Sequence, residues 1–167
     1  MLPKKANLFK NIPHTIYEEK KSIRFDMIPL PELYEIRQSM YKNGYKFLSP
    51  DFISSLTPLS LAIWYQDDGS LDIRNKYSTG NKGRIAICIQ AIHPESRKLL
   101  QTAFKRKYDI KTRLGVVRGN EIMYFDQPNT EKFLQLIKYY IHPSLQYKLL
   151  PKYKNQFSVY PKFIEAY

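Results

Sequence analysis

The chain has 167 residues, 27 Lys plus Arg against 15 Asp plus Glu for a formal charge of +12, with 43% hydrophobic and 14% aromatic residues and only 6 Gly. That length suits one domain with a short arm, and the composition excludes intrinsic disorder, collagen and a coiled-coil rod. A lone cysteine, Cys88, excludes an internal disulfide and a cysteine zinc site; no long apolar run exists, and Met1-Leu2-Pro3-Lys4-Lys5 opens no signal peptide, so a soluble chain, no membrane partner and a cytoplasmic location are expected.

Met1 to about Pro29 mixes Lys, Asn, Pro and charged pairs without sustained periodicity and reads as an arm. From Pro31 the spacing predicts a helix: Pro in the first turn, Glu32 and Glu35 near the positive end, Leu33, Ile36, Met40 and Tyr41 on one face, and Asn43-Gly44 as the stop. Tyr45 to Leu56 reads as a connector. In the segment from Thr57 to Gly69, Thr57 can cap a helix, Pro58 can take its first position and Gly69 can supply a left-handed stop. This helix is apolar almost all round, so it belongs in a core or an interface.

Two strands are expected next, Leu71-Asp72-Ile73-Arg74 and Arg84 to Gln90, around the polar turn Thr79 to Gly83; Ile85, Ile87 and Ile89 make the apolar face. His93-Pro94-Glu95-Ser96 opens a helix to about Tyr108. Lys111 to Val117 and Asn120 to Phe125 form a second strand pair, and a third helix runs from about Thr130 with Phe133, Leu136, Ile137 and Tyr140 on one face, until Pro143 ends it. The fold class is α+β: an antiparallel sheet of two hairpins with helices on its apolar face. The expected division is an arm with one helix over 1–50, the domain over 51–152 and a tail over 153–167.

The other sheet face carries Asp72, Arg74, Lys76, Arg84, Gln90, Lys111 and Arg113. A pI near 9.6 attracts polyanions, nucleic acids first, and a basic open sheet suits a nucleic-acid groove. An ordinary solvated sheet face accounts for the same alternation.

Asp67 and Asp68 end the apolar helix where its dipole is negative, at a cost of about 0.3–1 kcal/mol each. A nearby Lys or Arg, full solvation or a divalent cation would offset that cost. A cation held beside a basic surface is also what phosphodiester hydrolysis requires, because it activates water and neutralises charge developing on the phosphate. Alone, Asp-Asp-Gly is a weak pattern that reads more readily as a turn or cap.

The run Leu61-Ala62-Ile63-Trp64-Tyr65-Gln66-Asp67-Asp68-Gly69 resembles the signature of the LAGLIDADG homing endonucleases, with the acid before glycine at Asp68. The element order αββαββα, the Lys42-Asn43-Gly44-Tyr45-Lys46 segment and Ile141-His142-Pro143-Ser144-Leu145-Gln146-Tyr147-Lys148 extend the resemblance over about Ile23 to Lys152. It implies an antiparallel saddle sheet on the major groove of double-stranded DNA, and signature helices of two half-domains packed side by side over Mg²⁺. By position it implies Asp68 as metal-binding acid, with the adjoining Gly69, and Gln90 and Lys148 as catalytic residues near the attacking water. Arg74, Lys76, Arg84, Lys111 and Arg113 are the implied DNA contacts. Asp67 falls on a usually small position and reads as a cap or outer group. Gln90 also reads as a solvent-side strand residue and Lys148 as a surface charge.

One signature requires a second half, from a homodimer or another chain. Ile63, Trp64, Tyr65 and Asp67 are bulky for two closely packed helices, which makes the chain resemble the C-terminal half of a two-motif enzyme. The implied function is a Mg²⁺-dependent, site-specific double-strand DNA endonuclease, intron-encoded. The alternatives are an RNA-binding maturase and a non-cleaving DNA-binding protein of the same fold.

Overall fold

The computed structural model describes residues 13–18, 23–28, 30–73 and 82–155. Its first element is a hairpin of β1 (His14–Glu18) and β2 (Ile23–Met27), antiparallel with Tyr17 opposite Arg24, inside the stretch read as an irregular arm. The alternation Ile23-Arg24-Phe25-Asp26-Met27 is there in the sequence, but five residues among flanking lysines are too few to stand out. Arg24 pairs with Asp26 at 2.5 Å and stands 5.6 Å from the Tyr17 ring.

Helix α1 (Pro31–Met40) is the expected one, with Pro at its start and Glu32 in its first turn, but it buries none of its residues. Asn43-Gly44 does not stop it. Those two residues have φ of +51° and +80° and join β3 (Tyr41–Lys42) to β4 (Tyr45–Lys46) in a two-residue turn, the left-handed pair that a tight hairpin demands. The expected connector also contains a short helix, α2 (Pro50–Ser55), whose cap Ser49 accepts from the Phe52 N–H at 3.1 Å.

Helix α3 (Pro58–Asp68) begins as the sequence predicts. Thr57 and Ser60 close a capping box and Pro58 sits in the first turn. It buries Leu61, Ala62, Tyr65 and Gln66. Strands β5 (Gly69–Ile73) and β6 (Gly83–Cys88), helix α4 (Pro94–Tyr108), strands β7 (Arg113–Val117) and β8 (Asn120–Tyr124) and helix α5 (Gln127–Ile137) follow, which completes the order αββαββα. The four strands form one antiparallel sheet in the order β5-β6-β8-β7. Arg118 and Gly119, both at positive φ, turn β7 into β8. Helix α5 starts before the expected Thr130 because Asp126 caps it, accepting from the Asn129 N–H at 3.1 Å. Short 3₁₀ helices over Lys138–Tyr140, Pro143–Lys148 and Pro151–Tyr153 carry the chain back across the end of α3.

Ile85, Ile87 and Ile89 are at most 1% exposed, as their alternation predicts. They meet an aromatic cluster in which the Phe133 ring lies 5.0 Å from Phe125, 5.6 Å from Tyr65 and 5.9 Å from Phe104. Each buried ring contributes on the order of 1.5–3 kcal/mol. Buried Thr130 stitches α5 to the sheet, accepting from the Ile85 N–H at 3.1 Å and donating to the Phe125 carbonyl at 3.2 Å. No helix among the described residues is long and apolar enough to cross a membrane.

The outward sheet face is less uniformly basic than the sequence suggested. Arg84 and Arg113 are exposed on it with Asp72, but register places Ala86 beside Tyr124, Cys88 beside Ile122 and Gly115 beside Ile122 between the charges. Arg74 and Lys76 lie outside the described residues.

Candidate active site and nucleic-acid interface

The last turn of a helix leaves carbonyls without intrahelical donors, and at α3 a lysine from far along the chain takes them. Lys148, ending the 3₁₀ helix Pro143–Lys148, donates from Nζ to the Gln66 carbonyl at 2.6 Å and the Gly69 carbonyl at 2.8 Å. Burial lowers the Lys148 pKa from the ordinary lysine value, while Asp67 and Asp68 push it back up. The ammonium therefore provides the offset that two carboxylates at a negative helix end require. Asp67 and Asp68 themselves are both exposed.

Tyr65 fixes the lysine from beneath. Its hydroxyl donates to the Lys148 carbonyl at 2.8 Å, its ring lies 5.9 Å from the ammonium, and burial raises its pKa. Gly69 is not a left-handed stop: its φ is −90° and its backbone is extended. The glycine is needed for space, because a Cβ there would come within 2.5 Å of the Tyr65 ring and of the Tyr65 carbonyl oxygen. Gly69, which the resemblance sets beside Asp68 at the metal, uses its own carbonyl as an acceptor for Lys148.

Gln66, 4% exposed, is a site residue the sequence reading missed. Its Nε2 donates to the Ala62 carbonyl at 3.1 Å and the Tyr140 carbonyl at 3.3 Å, and its Oε1 accepts from the His142 N–H at 2.8 Å. A polar residue on the inner side of an apolar helix was the available signal.

Gln90 lies in the turn after β6 and not in the strand itself; its side chain is exposed. Its carbonyl is held by Arg97 Nη2 at 3.3 Å, and Arg97 Nε donates to the Ile92 carbonyl at 2.6 Å while Nη1 pairs with Glu121. Cys88 and Ala91, on either side of Gln90, line a cavity of about 530 Å³ together with Asp68, Ile63, Trp64 and Lys46. The structure thus brings Asp68, the Gln90 turn and Lys148 to one end of α3.

Arg84, Lys111 and Arg113 gather elsewhere. With Tyr124 and Asp126 they line a groove of about 800 Å³. Gly69 pairs with Ile87, and Arg84 is three residues further along β6, roughly 10 Å away at about 3.3 Å per residue. Asp126 is held below the ordinary carboxylate range by its hydrogen bonds from Asn129, with Arg113 and Arg84 adding to the effect. Asn129 Oδ1 in turn accepts from the Lys111 N–H at 2.8 Å.

Residues 3–133 match the model of the LAGLIDADG DNA endonuclease family. The chain belongs to that family. Protein RecA of Mycolicibacterium chitae is 38% identical over 169 residues, covering 96% of this chain and 40% of that protein. The probable intron-encoded endonuclease 1 of Wickerhamomyces canadensis is 28% identical over 146 residues, covering 83% of this chain and 62% of that one. This LAGLIDADG chain therefore spans less than two thirds of either relative. The homing endonuclease I-WcaI, solved bound to its DNA recognition sequence, superposes with a TM-score of 0.70 at 22% identity, over 89% of this chain and 70% of that chain. The αββαββα LAGLIDADG fold expected from the sequence is the fold observed.

Proposed function

We propose that the chain is one half of a Mg²⁺-dependent, site-specific double-strand DNA endonuclease, intron-encoded and acting with a second LAGLIDADG half. The carrying observation is the seat of Lys148 on the Gln66 and Gly69 carbonyls beside Asp67 and Asp68. The DNA-bound relative of the same fold supports double-stranded DNA as the partner.

No group of three or more His, Cys, Asp or Glu that could hold a metal occurs among the described residues. Exposed Asp68 is nonetheless the hard oxygen donor that Mg²⁺ prefers, and it fits half of a site completed by an acid from the second half. Bound there, Mg²⁺ would polarise a water and neutralise charge developing on the phosphate. Lys148 uses two of its three N–H donors on carbonyls, which leaves one for the attacking water or a phosphate oxygen. Its burial makes the proton easier to release. Gln90 orients water from the adjoining turn. Arg84, Lys111 and Arg113 hold the duplex backbone farther along the sheet.

The test is cleavage of a plasmid carrying the uninterrupted host gene, with Mg²⁺ or EDTA, by the wild type and Asp68→Asn. Mg²⁺-dependent cutting that vanishes in Asp68→Asn, with DNA binding kept or tightened, is the expected result. Tight intron RNA binding with no DNA cut under any condition would establish the maturase instead. Gel filtration of a stable homodimer that cuts DNA would overturn the need for a separate second half.

A further inference from the structure

We propose that the β3–β4 ribbon is a DNA-backbone clamp that sets Lys46 on a phosphate beside the acidic end of α3 and Lys42 on a phosphate from the ribbon's other face; this rests on the endonuclease reading above. Both lysines are exposed, and neither forms an ion pair with any described residue. Lys42 Nζ stands 5.5 Å from the Phe47 ring, which restrains its stem without neutralising its charge.

A two-stranded ribbon is marginal alone in water, so its attachment matters. The Lys46 N–H donates to the Ala91 carbonyl at 2.7 Å, the His93 N–H donates to the Lys46 carbonyl at 2.9 Å, and the Phe47 N–H donates to the Met40 carbonyl at 2.6 Å. The His93 ring packs edge-on against Phe47 at 5.6 Å and Tyr45 at 6.3 Å. These contacts fix Lys46 against the Gln90–Ile92 turn, and Lys46 lines the same cavity as Asp68 and Ala91. Register puts Lys46 with Tyr41 on one face of the ribbon and Lys42 with Tyr45 on the other. Lys46 is therefore the cation positioned at the rim of the candidate active site, where the field of two carboxylates would otherwise repel a duplex, and Lys42 extends the positive charge to the opposite face. Exposed Tyr41 and Tyr45 flank the lysines, amphipathic surface suited to the sugar edge of a groove. Charge complementarity selects the phosphate backbone as the occupant.

The test is salt-titrated binding of the full chain to a short mixed-sequence DNA duplex by fluorescence anisotropy. The Lys42→Ala/Lys46→Ala variant should lose affinity several-fold at low salt, with the slope of log K against log salt shallower by about 0.9 for each phosphate contact removed. Lys42→Arg/Lys46→Arg should keep the slope. If the alanine variant keeps the wild-type slope while Arg84→Ala/Arg113→Ala loses it, the ribbon inference fails and the endonuclease reading stands. If the wild type shows no salt-dependent binding, the endonuclease reading itself fails. A lysine variant that changes the gel-filtration mass but not the DNA affinity would make the ribbon a protein contact and overturn the proposal.

Discussion

The Tyr65 hydroxyl donates to the main-chain carbonyl of Lys148 at 2.8 Å, while the Lys148 ammonium stands 5.9 Å from the Tyr65 ring and reaches past it to the end of the same helix. Two residues separated by 83 positions thus lock the signature helix α3 to the 3₁₀ segment Pro143–Lys148 that comes after α5. The acid pair and the lysine cannot shift relative to one another unless Tyr65 leaves a fully buried position.

Removing the ammonium tests both its roles. Lys148→Met should abolish or strongly reduce cutting and change the pH dependence of stability. Burial lowers the folded Lys148 pKa, so between the folded and unfolded values the unfolded chain binds more protons and stability rises with pH. The cost of burying the charge is fully present below the folded pKa and disappears as pH rises through the window beneath the ordinary lysine value. Urea melts of wild type and Lys148→Met from about pH 8 to about pH 10 should therefore converge or diverge with pH, the wild type gaining relative to the variant. Tyr65, whose raised folded pKa lowers stability only above the ordinary tyrosine value, does not act in that window. Parallel curves would show that Lys148 is solvated and not seated as described.

Gly69→Ala should destabilise the fold by about 1–3 kcal/mol, because the new methyl group meets the Tyr65 ring and the Tyr65 carbonyl oxygen. In a Tyr65→Leu background the ring part of the clash is relieved but the main-chain part remains, so the penalty should shrink without vanishing. Denaturant midpoints of the four proteins measure it. A penalty below about 0.5 kcal/mol would mean that the glycine is dispensable at this crossing.

The sequence was most legible where one period ran uninterrupted. Ile85, Ile87 and Ile89 announced their strand, and Thr57, Pro58 and the apolar run after them announced α3. Asn43-Gly44 was ambiguous because the same left-handed preference stops a helix and turns a hairpin; only the pairing of Tyr41 with Lys46 decides. At the site, Asp68 and Lys148 were legible through the family resemblance, and a nearby lysine was one of the offsets that helix electrostatics demanded. The carbonyls that Lys148 occupies, the Tyr65 crossing that requires Gly69, and the buried role of Gln66 were not legible, since each depends on segments far apart in the chain meeting at one helix end.

Asp126→Ala should cost about 0.5–2 kcal/mol through the lost cap on α5. The folded Asp126 pKa is depressed, so its contribution is present above the ordinary carboxylate value and is lost as pH falls through the folded value. Acid unfolding should therefore be less steep in the variant. DNA affinity should rise or hold, because a carboxylate beside Arg84 and Arg113 has been removed from the groove. Lower affinity at unchanged stability would show instead that Asp126 positions the arginines.

Gln66→Leu keeps the volume of the side chain but strands the His142 N–H and removes the donor to the Tyr140 carbonyl, both at the chain's return across α3. Each buried group left unsatisfied costs about 1–3 kcal/mol, so the variant should unfold at visibly lower denaturant. Its effect on chemistry should exceed that of a surface change of equal stability, because the Gln66 carbonyl is also an acceptor for Lys148 and moves with the helix end. Gln66→Glu grades the two effects. Its carboxyl can still accept from the His142 N–H, but burial among the Ala62 and Tyr140 carbonyls favours the neutral form, whose single O–H replaces only one of the two amide donations. The expected result is a loss of stability and of cleavage intermediate between the wild type and Gln66→Leu. Cleavage and stability unchanged in both variants would remove Gln66 from the support of the site.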